Sequence, residues 1–442
     1  MTRNFSRSAF GAALLATVVT GCAGDGAKRT TPTVGERIPV LTRIESGAKV
    51  DPSLAGVDVV LPAATVNADW SQVSGTASKA YGHLALAENP TRIWSADIAG
   101  SSNRARLAAA PVVGGGKLVA VDTTGVVHAL DANSGASLWT HRMDIPGNLS
   151  GSAFGGGASI DGNRVFATNG VGEVVALDAE TGAEVWKVQP AGPLRGSPTI
   201  AFGQVFVMTQ DNQIFALNAA DGEQIWQESG SSTQAGVFGV AAPAAGQGSV
   251  IAGYSSGELS AYRYENGRVL WADALARTSI STEVGAISDI DADPIISDGR
   301  VYALGQGGRM AAYELLTGQR IWELSLAGIS TPALAGEWIF TLTDDARLLA
   351  IARSTGRVRW MTQLQAFRKE EKRTGPIFWT GPVLAGGNLW VASSEGLLYK
   401  VSTGEGSAQQ YADLDQPISV PPIVAGNTLY ILDDSGRISA YR

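Results

Sequence analysis

Few residues with chemically reactive side chains are grouped in this sequence of 442 residues. The three histidines, His83, His128 and His141, have no histidine, cysteine or carboxylate partner at metal-ligand spacing. The segment 288–293, SDIDAD, has the alternating carboxylates of a calcium-binding loop but neither its glycine nor its terminal glutamate. The single cysteine, Cys22, excludes an intramolecular disulfide and any site with two thiolates. The sequence therefore predicts no metal site, no cofactor and no catalytic residue.

Cys22 lies at a position where its thiol could be covalently modified. Two arginines and an apolar stretch, residues 9–19, precede the small residues that lead to Cys22, and the stretch is too short to span a bilayer. This arrangement resembles the bacterial lipoprotein signal, which implies that residues 1–22 are a signal peptide and that Cys22 is lipidated. By the same resemblance, Ala23 implies sorting to the outer membrane. The alternatives are an ordinary secretory signal with a chance cysteine, or a short buried helix.

Composition limits the class of partner. Hydrophobic residues make up 45% and charged residues 17%, as in a globular protein. The formal net charge of -8 argues against a nucleic-acid backbone as the partner, since that requires a basic surface, and suits a partly basic protein. Residues 23–65 are polar, rich in glycine, proline and threonine, and show no hydrophobic period. We therefore predict a flexible tether over this range.

A repeated sequence phrase predicts the structural elements that must position any functional site. It reads ALDANSGASLW at its first full occurrence and ALDAETGAEVW at its second, and successive copies end 38 to 51 residues apart. A period of about 40–50 residues is typical of a propeller or a solenoid. The phrase, with one short partial copy at the first position, ends at Trp94, Trp139, Trp186, Trp226, Trp271, Trp322 and Trp360.

Each unit predicts four short strands. Apolar residues alternate with period two, and Gly, Asp or Asn turns separate the runs, so no helical period survives. In the second unit the runs lie at 152–154, 164–168 and 173–177, and a last run ends at Trp186. Four strands per unit indicate a β-propeller, in which the repeated tryptophans pack at the seams between blades. A stacking site for a ligand is the functional alternative for these rings.

The count of units predicts eight blades. Six full units are followed by a seventh that lacks the terminal tryptophan, where Tyr411 is the nearest candidate. The chain ends in a run that reads as the third strand of an eighth unit, and the early fragment around Trp94 supplies the missing fourth strand. We therefore predict an all-β, eight-bladed propeller of four-stranded repeats over residues 66–442, closed by an N-terminal strand that pairs beside residues 438–441.

The repeated phrase resembles that of the pyrroloquinoline-quinone (PQQ) dehydrogenases. Those enzymes hold the quinone with calcium and commonly cap it with a disulfide of adjacent cysteines. This chain has no cysteine pair and no clear calcium cluster. The resemblance thus supports the fold and not the chemistry, and a PQQ-dependent oxidoreductase is kept as an alternative function.

Two segments outside the phrase resemble loops of the BamB family, lipoprotein subunits of the machinery that assembles β-barrels into the outer membrane. Residues 193–198, PLRGSP, resemble the L-R-G-x-x-P loop, and residues 288–294, SDIDADP, resemble the S-D-[IV]-D-x-x-P loop. In that family the loops contact periplasmic domains of the central barrel-inserting subunit. The resemblance implies partner-binding roles for Leu194, Arg195, Asp289 and Asp291.

The resemblance implies a non-enzymatic scaffold, anchored in the outer membrane by lipid and facing the periplasm. An exposed leucine beside an arginine is a plausible hot spot, and the aspartates could orient that arginine or meet a basic partner. Nascent outer-membrane proteins are further candidate clients. The alternatives are that Leu194 packs at a strand edge with Asp289 and Asp291 in turns, and that the propeller binds a periplasmic peptide or glycan. The charged run 367–373 is predicted to be a solvated loop, with a second protein contact as its alternative.

Overall fold

The computed structural model describes residues 48–194, 196–232, 241–275 and 289–442. Apart from three short 3-10 turns at Pro52–Leu54, Gly147–Ser152 and Glu370–Lys372, the regular structure of these residues is β-strand. No helix within the described ranges is long and apolar enough to cross a membrane. The period-two patterns and glycine turns of the repeat account for this all-β content.

Eight antiparallel sheets of four strands form the blades of a propeller, as predicted. Within each blade the strands follow one another from an inner edge to an outer edge. Blades one to four consist of β2 Val112–Gly114, β3 Lys117–Val121, β4 Val126–Asp131 and β5 Ser137–Arg142; β6 Ala158–Asp161, β7 Arg164–Thr168, β8 Val174–Asp178 and β9 Glu184–Val188; β10 Thr199–Ala201, β11 Gln204–Met208, β12 Gln213–Asn218 and β13 Gln224–Ser229; and β14 Ala244–Gly246, β15 Ser249–Gly253, β16 Glu258–Arg263 and β17 Val269–Ala274. Blades five to eight consist of β18 Ile295–Ser297, β19 Arg300–Gly305, β20 Arg309–Glu314 and β21 Arg320–Leu324; β22 Ala333–Ala335, β23 Trp338–Leu342, β24 Arg347–Ala352 and β25 Val358–Gln363; β28 Trp379–Ala385, β29 Asn388–Ser393, β30 Leu397–Ser402 and β31 Ala408–Asp413; and β32 Ile423–Ala425, β33 Thr428–Leu432, β34 Arg437–Tyr441 and β1 Arg92–Asp97.

The ring closes between the two ends of the propeller sequence. Strand β1 pairs antiparallel with β34, and Trp94 lies opposite Ala440. The eighth blade therefore takes three strands from the C-terminus and its outer strand from the N-terminal side. The predicted blade count and closure are confirmed.

Two local predictions are wrong. The first strand of blade two is β6, Ala158–Asp161, and not 152–154, because residues 147–152 form a 3-10 turn followed by a run of three glycines. The charged run 367–373, expected to be a loop, begins a hairpin in which β26, Phe367–Lys369, pairs with β27, Thr374–Pro376. Its charged side chains are exposed, as expected of a solvated segment.

The repeated tryptophans lie between neighbouring blades. Each indole N–H donates to a backbone carbonyl of the next blade: Trp94 to Ala132 at 3.2 Å, Trp139 to Ala179 at 2.9 Å, Trp186 to Ala219 at 3.1 Å, Trp226 to Tyr264 at 2.7 Å, Trp271 to Leu315 at 2.8 Å, Trp322 to Arg353 at 3.0 Å and Trp360 to Thr403 at 2.8 Å. The turn glycine of the next unit faces the same ring. A Cβ added at Gly182, whose φ is +70°, would lie 2.6 Å from the Trp139 ring, so glycine is required there for both backbone and space.

The seam after blade seven is built differently. Counted from Gly406, the position of the tryptophan is taken by Gln410, and Tyr411 follows it. The Tyr411 hydroxyl donates to Pro90 O at 2.7 Å, just ahead of β1, and its ring meets Trp390 edge-on at 5.0 Å. The seam after blade seven therefore joins the outer strand of that blade to the chain that enters blade eight.

The described part of the predicted tether lies against the ring. Asp51 N donates to Val358 O at 2.8 Å on the outer strand of blade six, and Arg359 Nε donates to Val57 O at 2.7 Å. Thr65 N then donates to His83 O at 3.0 Å. The expectation of a free tether does not hold for residues 51–65, because the outer edge of β25 offers unpaired backbone groups. Residues 23–47 lie outside the described part of the chain.

Candidate functional site

The axis of the ring holds a cavity of about 550 Å³, hereafter the cup. Its wall is built mainly by segments that lead from the outer strand of one blade to the inner strand of the next. Seven of the eight inner strands are preceded by such lining residues, found at 106–110, 196–197, 242, 291 and 293, 329–331, 378 and 419–422. We call this end of the ring the loop face and the opposite end, with the hairpin turns after the inner strands, the turn face.

A segment ahead of the first blade closes the channel toward the turn face. Residues 67–84, hereafter the plug, follow the inside of the ring once and meet the inner strands in blade order. Trp70, Ser74 and Tyr81 of the plug form part of the cup lining. The inner-strand residues that hydrogen-bond with the plug occupy equivalent places in seven blades: Val424, Val113, Ile160, Ile200, Ala245, Ile296 and Leu384.

The plug buries a lysine and a tryptophan, and it holds a half-buried tyrosine. Lys79 is 1% exposed, and its Nζ donates to Thr199 Oγ1 at 3.1 Å and to Val73 O at 3.2 Å. Burial lowers the pKa of Lys79 to about 8, against the opposing attraction of Asp293. The Trp70 and Tyr81 rings lie 4.7 Å apart, and burial raises the pKa of Tyr81. The plug is therefore a packed element with few solvated groups.

The structure brings the two predicted loops to one site. Gly196 and Ser197 of the first loop and Asp291 and Asp293 of the second line the same cup. These segments are nearly 100 residues apart in sequence and precede the inner strands of blades three and five. A partner that contacts both loops would therefore have to bind at the loop face.

The individual residues of these loops do not all face solvent. Leu194 is fully buried, bridges Thr209 and packs with Val207 and Phe215, so the expectation of an exposed leucine is wrong. Leu194 belongs to the core between blades two and three because its loop follows the edge of β11. Arg195 lies outside the described residues.

The aspartates of the second loop differ in burial. Asp289 is fully buried, and its backbone carbonyl accepts from Gln306 N at 2.8 Å, whereas Asp291 is half-buried and lines the cup. Asp293 accepts from Ser74 Oγ at 2.7 Å and from Ala242 N at 2.8 Å, which links the plug to the loop face. Among the described residues, no cluster of three or more histidine, cysteine or acidic side chains is arranged to hold a metal ion.

Several residues of the cup were not singled out by sequence. Phe378 and Ile329 line its mouth and are 66% and 46% exposed, and Trp379 lies deeper in the wall. Trp70 follows no turn glycine and stands outside the repeated phrase, which was a usable signal that it serves another purpose, whereas Gly375 precedes Trp379 by four residues, as in the phrase, and hides its different role. Arg106 lies 3.8 Å from Asp434 at the mouth.

Sequence comparisons relate this chain to proteins of known class. A family model described as outer membrane protein assembly factor BamB matches residues 80–148 and 123–362. The BamB of Yersinia pestis is 28% identical over 359 residues, which is 80% of this chain and 89% of that protein. The BamB of Vibrio cholerae serotype O1 is 31% identical over 354 residues, which is 79% of this chain and 88% of that protein.

Solved structures share the fold. The crystal structure of BamB from Moraxella catarrhalis has a TM-score of 0.68 at 22% identity and covers 80% of this chain and 99% of that chain. The quinohemoprotein alcohol dehydrogenase of Comamonas testosteroni has a TM-score of 0.67 at 13% identity and covers 86% of this chain and 81% of that chain. Since the family model matches more than half of the sequence, this chain belongs to the family of the outer membrane protein assembly factor BamB.

Proposed function

We propose that the protein is a non-enzymatic scaffold for the assembly of outer-membrane β-barrels. It binds the periplasmic domains of the central barrel-inserting subunit through its loop face and aids insertion of outer-membrane proteins. The observation that carries the proposal is that the two loops resembling the family's partner-binding segments line one cup. The names of the relatives, which are outer membrane protein assembly factors, support the same role.

The burial of the loop residues divides the proposed roles. Asp291 is accessible in the cup and is proposed, with Arg195, to meet the partner directly. Leu194 and Asp289 are buried, so they are proposed to hold the two loops in place for that contact. Buried supports of this kind fix the position of neighbouring contact groups, which a binding site requires.

A lipid anchor is the second part of the proposal. Residues 1–22 are proposed to be the signal peptide, with Cys22 lipidated and the predicted tether leading to the ring. Acyl chains contribute about 0.8 kcal/mol per buried CH₂ group, and stable anchoring requires two or more membrane-binding signals. The propeller would then stand in the periplasm beside the outer membrane. Palmitate labelling of the wild type but not of Cys22→Ala checks this part.

A quinone-dependent oxidoreductase is the alternative raised by the shared fold. PQQ is a tricarboxylate, and the described lining of the cup offers Asp291, Asp293 and Asp434 against a single arginine, Arg106. The described residues offer no cluster of three or more acidic, histidine or cysteine side chains for a calcium ion that would offset this charge, and like charges at close range repel, so the cup does not fit this cofactor. A binding site for a periplasmic glycan has no comparable observation in its favour.

Site-specific crosslinking in cells tests the proposed partner. A photoreactive residue at Pro193 or at Asp291 places the probe on the loop face, and the same residue at Asn163, exposed on the turn face of blade two, is the matched control. We expect the first two positions to trap the central barrel-assembly subunit and the control to trap none. Trapping from Asn163 alone would contradict the assigned face.

A charge reversal tests the loop chemistry. Arg195→Glu is expected to weaken binding of the purified periplasmic domains at least about tenfold, because a contact arginine would become a repelled carboxylate. Arg268→Glu, an exposed arginine beside a turn on the turn face, is the control and should change neither binding nor stability. Equal affinities of the two variants would count against the loop assignment.

A further inference from the structure

The plug closes one end of the channel, which a ring of blades alone would leave open. Residues 67–84 lie across the end at the turn face, so the described lining of the cup leaves its opening at the loop face. Its volume of about 550 Å³ lies within the roughly 300–1,000 Å³ typical of ligand pockets. A molecule that enters the cup must therefore come from the face that carries the two partner-binding loops.

The walls of the cup are mostly apolar. Trp70, Val73 and Tyr81 of the plug form the floor, and Trp379 and Pro382 of blade seven form part of the side. At the mouth, Ile329 and Phe378 project from the loops that precede blades six and seven and are about half or more exposed. Large apolar side chains left in water at the rim of a concave pocket mark an interaction site.

Carboxylates stand on both sides of this apolar pair. Asp291 precedes blade five and Asp434 lies in a turn of blade eight, so they flank Ile329 and Phe378 around the ring. Asp434 is partly balanced by Arg106, whose side chain is 60% exposed at 3.8 Å. The apolar mouth therefore lies in a negative field, which favours a basic group next to the apolar one.

We propose that the cup is the central anchor pocket of the loop face and receives a loop of the docking protein in which an apolar side chain stands next to a lysine or arginine. The proposal rests on the proposed function, since it names how the same partner binds. Interfaces draw most of their affinity from a few apolar or arginine anchors in desolvated pockets near the centre of the contact. Asp291 of the second loop would then lie beside this anchor.

Filling the cup tests the proposal. The probe is the purified periplasmic part of the central barrel-assembly subunit from the same organism, with affinity measured by titration against the full propeller. Ala108→Trp places an indole in the lining from an exposed position, and Ala136→Trp, exposed on the turn face, is the matched control. We expect Ala108→Trp to weaken binding at least about tenfold and the control to leave it within about twofold.

A second pair of variants keeps the test independent of folding. Phe378→Ala removes the exposed rim anchor and should also cost about tenfold or more in affinity, whereas Leu316→Ala, 73% exposed on the turn face, should not. If Arg195→Glu abolishes binding while Ala108→Trp and Phe378→Ala leave it unchanged, the anchor pocket is overturned and the proposed function stands. If the wild type does not bind the probe, both are overturned.

The chemistry of the occupant is checked by where the probe is trapped. A benzoylphenylalanine at position 378, crosslinked to the same periplasmic domains and mapped by mass spectrometry, should attach to one loop of the partner. We expect that loop to carry a lysine or arginine within two residues of an apolar side chain. Attachment to an acidic segment, or to sites scattered over the partner, would overturn the proposal.

Discussion

The two ends of the channel are built on opposite principles. At the turn face, the plug hydrogen-bonds to the backbone of equivalent residues in successive blades, through its own backbone at Val113 and Ile160 and through the Gln72 side chain at Ile200. At the loop face, the segments that precede the inner strands differ in length and in composition, and Phe378 and Ile329 are left exposed. The regular end serves structure, and the irregular end is where the molecule can discriminate between partners.

The physical reason lies in the inner strands. Each inner strand is the edge of its sheet and presents unpaired backbone groups to the channel. One extended segment can satisfy such groups in blade after blade because the repeat places them at the same height. The loops at the other end vary in sequence, so one extended segment cannot pair with the backbone groups of all of them. That end of the channel therefore stays open.

The largest expected difference between the ends concerns stability. Trp70→Ala removes a 3% exposed ring that packs on Tyr81 in the plug, and should lower the free energy of unfolding by about 3–5 kcal/mol. Phe378→Ala at the open end, where the side chain is 66% exposed, should change it by less than about 0.5 kcal/mol. Urea unfolding of both variants measures the contrast. Equal losses would mean that the plug does not stabilise the ring more than the mouth does.

Lys79 gives the closed end a dependence of stability on alkaline pH. Its pKa of about 8 in the folded protein lies below the value of about 10.4 for an unperturbed lysine, so the unfolded chain binds more protons between these values. Stability therefore rises as pH increases from 8 to 10. Relative to Lys79→Met, the wild type should gain on the order of 3 kcal/mol over this window.

The comparison with Lys79→Met isolates the lysine, because Tyr81 and the other groups that titrate at high pH are common to both proteins. Unfolding free energies at pH 7.5, 9 and 10.5 provide the measurement. A difference between the two proteins that stays constant across these values would show that Lys79 is not desolvated in the plug.

The regular part of the fold could be predicted because it is repeated. A turn glycine with positive φ, four residues before a tryptophan that reaches the next blade, leaves the same mark in six units, as at Gly182 and Trp186. These six marks together with the incomplete copies gave the count of eight blades, and the copies at Trp94 and at the C-terminus predicted how the ring closes. The local sequence pattern is sufficient to predict the structure wherever the blades pack against one another in the same way.

The plug and the burial of the loops could not be predicted in this way. Residues 67–84 have no period of their own, since their contacts follow the circumference of the ring and not a strand or a helix. Leu194 was expected to be exposed because its loop resembles a partner-binding segment of the family, but its side chain packs in the core beside Phe215. The orientation of such a side chain depends on neighbours that are distant in sequence, and the residue type alone does not predict it.

The smallest predicted effect concerns the contact that joins the two ends. Ser74 Oγ of the plug donates to Asp293 Oδ2 of the loop face at 2.7 Å, and Ser74 has a φ of 56°. Ser74→Ala removes the hydrogen bond and should lower the unfolding free energy by about 1–2 kcal/mol, since the acceptor is charged. Ser74→Gly removes the same bond but relieves the left-handed backbone, so it should cost less than Ser74→Ala by a fraction of about 1 kcal/mol. If the ends act separately, both variants leave the affinity for the periplasmic domains within about twofold, and a tenfold loss would show that the plug also sets the position of the second loop.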